Sequence, residues 1–207
     1  YYLEDKELNI SSYKNQDGGY GILPYAGSDL KLTALITPLI KEKADANSLK
    51  MYFYNEILAD SNVKAPALYA LAVLGEPVLL DLQKAVKVQN LSLEDYIFLA
   101  LACDAIGDLS TANQIYSGII SPQLERKDPY IRVKAEGKNI DEIYSLTALA
   151  AVLASRIDSQ NAPKFYHYVE NNYSKTCYVG VEKILYLAKI AYRDQYDEQT
   201  IKKWLRV

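Results

Sequence analysis

The sequence predicts an all-α chain of repeated helical hairpins, stacked as a solenoid or a ring, with one small β-hairpin inserted. Three observations predict it. Ala- and Leu-rich segments of one style recur along the chain, tight Gly-capped junctions separate them, and a single stretch breaks the helical habit.

Each element follows from local signals. Ser28 or Asp29 can cap a helix through Leu32, Leu35, Ile36, Leu39 and Ile40, and Pro38 inside that pattern predicts a kink or a division. Residues 48–60 place Leu49, Tyr52, Phe53 and Ile57 on one helical face. A third helix over 66–74 begins with Pro66 and stops at Gly75. Leu79, Leu82 and Val86 mark a shorter fourth. Ser92, followed by Glu94 and Asp95, opens a helix that ends at Gly107. Asp108 caps the next, over 109–120, so the Gly-Asp junction makes an αα-hairpin. Asn139 with Glu142 opens a helix carrying Ile143, Leu146, Leu149 and Leu153. Asn161 and Pro163 open one through Phe165, Val169 and Tyr173, and the last runs over about 181–192.

Residues 121–138 differ. They contain two prolines and Gly137, and Tyr130-Ile131-Arg132-Val133-Lys134 alternates in a β-favouring way. Lys127-Asp128-Pro129 fits the turn of a hairpin near 124–134. The charges of this stretch read as a solvated surface, and the stretch as an excursion near 122–138 within one domain spanning 1–207.

The segments 67–74, 96–102, 146–153 and 184–191 are apolar on nearly all sides, as helices packed on two faces are. The more amphipathic 162–172 reads as an outer helix. Inner and outer helices alternating at this spacing give a solenoid or a closed ring, and their small Ala residues let helix axes approach closely.

Composition bounds the function. Half of the 207 residues are hydrophobic and 24% are charged, enough apolar matter for a core and too much for disorder. A net charge of −3 lacks the basic excess that nucleic-acid phosphates require. No apolar run reaches the roughly 18–20 residues of a membrane span. The chain opens Tyr1-Tyr2-Leu3-Glu4 and is expected to be a piece of a longer polypeptide. Two cysteines make no disulfide framework, and Cys103, in an apolar helix pattern, reads as a small buried hydrophobe. Tyr outnumbers Phe 19 to 3, which fits either a Tyr-rich surface or an aromatic binding groove, with Tyr20 and Tyr25 its candidate residues.

The most specific segment is Lys14-Asn15-Gln16-Asp17-Gly18-Gly19-Tyr20-Gly21-Ile22-Leu23-Pro24-Tyr25, then Gly27-Ser28-Asp29 and Leu32-Thr33-Ala34. It resembles the "QN-DGGFGYWPG…SD…LTA" element of bacterial alpha-2-macroglobulin-like proteins. Leu101-Ala102-Cys103-Asp104-Ala105-Ile106-Gly107-Asp108 is similar to that family's later hairpins. The resemblance covers most of the chain, but only the Gly-rich element is distinctive. It implies the thioester-domain region, an α/α toroid, complete or incomplete. It implies a secreted or surface-anchored parent that entraps proteases, with neighbouring domains of the same polypeptide and target proteases as partners. On the residues alone, Asp17 to Gly21 form a tight turn at positive φ whose aromatic residue packs on the next helix.

Family members that react covalently carry Cys-x-Glu-Gln upstream of this element, and its thiol and carboxamide close into a thioester. Neither Cys103 nor Cys177 has that context. The motif would lie before Tyr1, or the parent lacks one; both alternatives stand.

Other chemistry finds no constellation. One histidine, His167, cannot build a zinc site, and it has no nucleophile in a recognisable context. Glu94, Asp95, Asp141 and Glu142 fall in first helical turns, where the helix dipole accounts for them. Gly18-Gly19-Tyr20-Gly21 lacks dinucleotide-site spacing. The expectation is a non-catalytic domain with no cofactor, no metal and no thioester of its own. The alternative is a recognition module taking glycan or peptide in a Tyr-lined funnel.

Overall fold

A computed structural model describes residues 10–59, 62–157 and 159–172. Helix α1 (Leu30–Ile40) starts at Asp29, whose Oδ1 accepts from the Leu32 amide at 2.8 Å. Asp45 does the same for α2 (Ala46–Ala59), accepting from Asn47 and Ser48. Helix α3 (Ala65–Val73) ends at Gly75, where φ turns to +79° and the Glu76 amide reaches back to the Leu71 carbonyl at 3.0 Å. After α4 (Leu79–Ala85), Ser92 and Asp95 form a reciprocal capping box at the head of α5 (Leu93–Ala105). The end of α5 repeats the device of α3: the Asp108 amide donates to the Cys103 carbonyl at 2.8 Å. The Asp108 carboxylate then caps α6 (Leu109–Ile115) by accepting from the Thr111 amide at 3.0 Å. One residue thus closes one helix and opens the next, with no linker between them.

Past Ile115 the α6 register widens into a π-helical turn, Tyr116–Ile120, so the helix predicted to reach Ile120 is regular only to Ile115. The hairpin follows as read. Strand β1 (Leu124–Lys127) pairs antiparallel with β2 (Tyr130–Val133), Leu124 opposite Val133 and Lys127 opposite Tyr130, around Asp128-Pro129. A second capping box, Asn139 with Glu142, starts α7 (Ile140–Arg156). Helix α8 (Ala162–Asn171) carries Pro163 in its first turn, but Asn161 makes no side-chain cap. Pro38 does not divide α1. It lies two residues from the helix end, so little helix remains beyond it to be misaligned. The helix expected near 181–192, and Tyr173, lie outside the described residues.

The odd-numbered helices pack side by side in the order α1, α3, α5, α7. The even-numbered ones lie against that row: α2 on α3, α4 on α3 and α5, α6 on α5, and α8 on α7 and β2. The fold is therefore all-α with one β-hairpin, in an inner and an outer layer. Inner helices are apolar all round because they are covered on both faces, and Ala67, Ala70, Ala100, Ala102, Ala150 and Ala154 are all fully buried where axes approach. The Tyr69 and Phe98 rings meet at 5.9 Å between α3 and α5. Arg156 of α7 is ion-paired to Asp104 of α5.

The hairpin is fastened to α7 and α8. The Val133 amide donates to Thr147 Oγ1 at 3.0 Å, the Tyr130 and Tyr144 rings pack on Tyr168, and Lys164 pairs with Asp128 at 2.6 Å. Its outer face is charged as expected: Glu125 holds both Lys127 and Arg132, which keep its carboxyl below the ordinary range.

Candidate functional site

Two places gather residues that composition and periodicity leave unexplained: the Gly-rich turn, and the end of the inner row where the helices begin.

In the turn, Asp17 Oδ1 accepts from the Gly19 amide at 2.9 Å and from the Ser28 hydroxyl at 2.7 Å. Asn15 Nδ2 donates to Ser28 Oγ and to the Ala26 carbonyl. The loop closes where the Asp29 amide meets the Tyr20 carbonyl at 2.9 Å, and the Tyr20 amide meets Thr33 Oγ1 at 2.9 Å. Thr33 returns its proton to the Asp29 carbonyl at 2.7 Å. Gly18 has φ +94°, and a Cβ there would lie 2.4 Å from the Ser48 carbonyl oxygen of α2. A Cβ on Gly19 would meet Ser28 and the Tyr52 ring, each at 2.6 Å, and one on Gly21 would meet the Ala26 oxygen at 2.6 Å. These residues are spent on pressing the turn against α1 and α2.

Tyr20 and Tyr25 do not share a groove. Tyr20 is 4% exposed, drawn into the core by its backbone pairing with Lys14 and Thr33, whereas Tyr25 is 85% exposed at the loop tip. Tyr20 is thus placed in the core against α1, where the reading of the turn's aromatic as packed on the next helix puts it.

At the start of the inner row, a cavity of about 450 Å³ opens among the first turns of α1, α5 and α7. Lys31 Nζ lies 2.6 Å from Glu94 Oε1 and 3.1 Å from Ser145 Oγ. Its side chain is 16% exposed, and Ser145 is 7% exposed. A residue of α1 thus touches both α5 and α7, which its own helix does not flank in the row. The row is bent, so its first and fourth members meet across Lys31. Leu93, Leu146, Asn139 and Asp141 also line this mouth. No Tyr is among its lining residues, so this cavity is polar and aliphatic.

The Lys31–Ser145 distance is that of a Ser–Lys dyad, and here Lys31 is shared with the Glu94 carboxylate at 2.6 Å. Each helix start here also carries its own cap: Asp29 accepts from the Leu32 amide, Ser92 from Asp95 and Asn139 from Glu142. Asp95 and Glu142 serve those caps, as the first-turn reading expects.

Cys103 is 2% exposed on α5, and burial pushes its thiol up to about 11, which disfavours the thiolate. His167 lies half-buried on α8 with Nδ1 beside the Asn171 amide at 3.1 Å. Cys177 lies outside the described residues. Among the described residues no group of three or more His, Cys, Asp or Glu side chains is placed to hold a metal ion, and no helix is long and apolar enough to cross a membrane.

Lys31 and Ser145 escape a reading of the sequence, although one signal exists. A lysine in the first turn of a helix opposes the dipole, and such a residue needs a carboxylate from elsewhere. Comparison with protein-family models, curated proteins and solved structures finds no match to this chain.

Proposed function

We propose that the chain is a non-catalytic, thioester-domain-like α/α toroid, complete or incomplete. It would belong to a secreted or surface-anchored bacterial alpha-2-macroglobulin-like protein, and contribute to that parent's entrapment of proteases. The observation that carries the reading is the Gly-rich turn. Asn15, Asp17, Gly18, Gly19, Ser28, Asp29 and Thr33, all within the element that resembles the family's, each hold a specific contact in one structural unit. The bent inner row supports the toroid. On this reading the neighbours of the domain are other domains of its polypeptide, and any covalent capture depends on a Cys-x-Glu-Gln outside this sequence. A thioester reacts with small amines. The 207-residue chain should therefore gain no mass with methylamine and release no thiol beyond Cys103 and Cys177, whereas a parent encoding the motif should do both. A mass gain on this chain would refute the assignment of both cysteines as inert.

The cavity around Lys31 supports a second reading, a recognition module that takes glycan or peptide at the funnel mouth. Saturable binding abolished by Lys31→Met, with the helical signal intact, would favour it.

A further inference from the structure

We propose that the cavity among the first turns of α1, α5 and α7 binds a neutral saccharide, one of whose hydroxyls takes the proton of Ser145. This rests on the reading of the chain as a recognition module, and commits it to glycan over peptide. Five Ser and Thr side chains are buried among the described residues: Thr33, Thr37, Ser145, Thr147 and Ser155. Four of them give their proton to a backbone carbonyl three or four residues back, at 2.6–2.7 Å: Thr33 to Asp29, Thr37 to Thr33, Thr147 to Ile143 and Ser155 to Val152. Ser145 is the exception. Its Oγ accepts from Lys31 at 3.1 Å, and no described residue accepts its proton. A buried donor without an acceptor is costly, and this one lines a cavity in which a ligand can supply the acceptor.

The walls select the ligand. Lys31 Nζ lies 2.6 Å from Glu94 Oε1 and 3.1 Å from Ser145 Oγ, so those two oxygens are at most 5.7 Å apart, the two distances laid end to end. An anion accepting from Ser145 would crowd the Glu94 carboxylate, and a cation cannot accept at all. Around the mouth Glu94, Asp141 and Glu142 are set against Lys31 and Lys138, and three helix N-termini, each equivalent to roughly half a positive charge, offset the acidic excess. A hydroxyl group accepts and donates at once, so it can take the Ser145 proton and give its own to Glu94. A trans peptide unit points its C=O and N–H in opposite directions and cannot meet both from one side.

The remaining lining suits a sugar ring. Asn139 spends its oxygen on the Glu142 cap, which leaves Nδ2 to donate at the rim, and Leu93 and Leu146 offer an apolar surface to the ring's C–H face. At about 450 Å³ the cavity lies toward the small end of ligand sites, which run from roughly 300 to 1,000 Å³, and it admits a sugar unit rather than a length of chain.

The test is ligand-observed NMR on the 207-residue chain with glucose, galactose, mannose and N-acetylglucosamine, and with acetate, phosphate and a blocked tetra-alanine peptide. The expected result is saturable binding of at least one sugar, with Kd on the order of mM or tighter, and of neither anion nor peptide. Ser145→Ala should weaken it about two- to tenfold, as loss of one hydrogen bond does. Asn139→Asp keeps the α7 cap and should weaken it too. The urea midpoint of Ser145→Ala should stay that of the parent chain. A midpoint lowered as far as that of Thr147→Ala would mean that the Ser145 proton is spent within the protein, and would overturn the proposal, as would sugar binding unchanged in both cavity variants or an anion bound in place of sugar. A peptide bound in place of sugar would overturn the saccharide and leave the recognition-module reading standing, and no binding of any probe would overturn both.

Discussion

Gly18→Ala should destabilise the chain far more than Gly75→Ala, although both glycines adopt the left-handed region, at φ +94° and +79°. The backbone term is shared: an L-residue in that region costs about 1–2 kcal/mol. The gain from a stiffer unfolded chain, roughly 0.4–1 kcal/mol, is shared as well. What differs is space. A Cβ at position 75 meets nothing within 4 Å, while one at position 18 lies 2.4 Å from the Ser48 carbonyl oxygen and 2.7 Å from its hydroxyl. Backbone cannot rotate away as a side chain can, so the turn must lift off α2. Overpacking of that kind adds about 1–3 kcal/mol. Gly18→Ala should then cost about 2–5 kcal/mol before the shared unfolded-state gain, and Gly75→Ala about 1–2. Urea unfolding followed by helical circular dichroism, with both variants beside the parent chain, reads the difference. Midpoints that coincide, at equal slope, would refute the reasoning that contact with α2 requires Gly18.

Three further outcomes follow from the ion pairs and the buried thiol. Glu94→Ala should destabilise more than Lys31→Met in the same urea assay. The first takes the carboxylate away from an ammonium that is 16% exposed, whereas the second leaves a carboxylate, 37% exposed, that water can reach. With Cys177 changed to Ser, a thiol reagent at pH 8 should modify Cys103 only in step with urea unfolding, because burial holds the thiol near 11 and out of contact with solvent. Rapid labelling of the folded chain would contradict its placement in the core. Acid should weaken the fold. Lys50 and Tyr54 lower Glu76 below 4.5, and Thr111 lowers Asp108 below 3.8, so their stabilisation is complete above those values and is lost as pH falls through the lowered ones. Removing the contribution with Glu76→Gln should flatten the acid limb of a stability–pH curve, and an unchanged limb would count against it.

Signals that act within a few residues were legible in the sequence. The Ser92 and Asn139 caps, the Gly107–Asp108 junction and the Lys127–Pro129 turn each involve groups no more than about five residues apart, and all lie where they were read. The signals that failed are those decided by distant partners. Pro38 reads as a breaker until the helix is known to end two residues later. Tyr20 could be read either as a groove residue or as the turn's packing aromatic until Thr33 of α1 fixes it in the core. Lys31 carries only the signal of a cation in a first helical turn and nothing that names its partners, because Glu94 and Ser145 come 63 and 114 residues later. The two-layer order of helices was visible only as a contrast between uniformly apolar and amphipathic segments, and the bend of the inner row only as one of two outcomes, since the same alternation gives an open solenoid or a closed ring.

That last contact has a consequence in time. A chain emerging at about 5–20 residues per second makes Lys31 roughly 6–23 s before it makes Ser145. Helices α1, α3 and α5 can pile up in order of birth, each on its predecessor, while the α1 ammonium still lies in water. Glu94 reaches it first, and the arc is drawn shut only when α7 arrives. A nascent chain from which α5 has emerged but Ser145 has not would therefore display an open stack of helices, and the curvature would be the last property that the domain acquires.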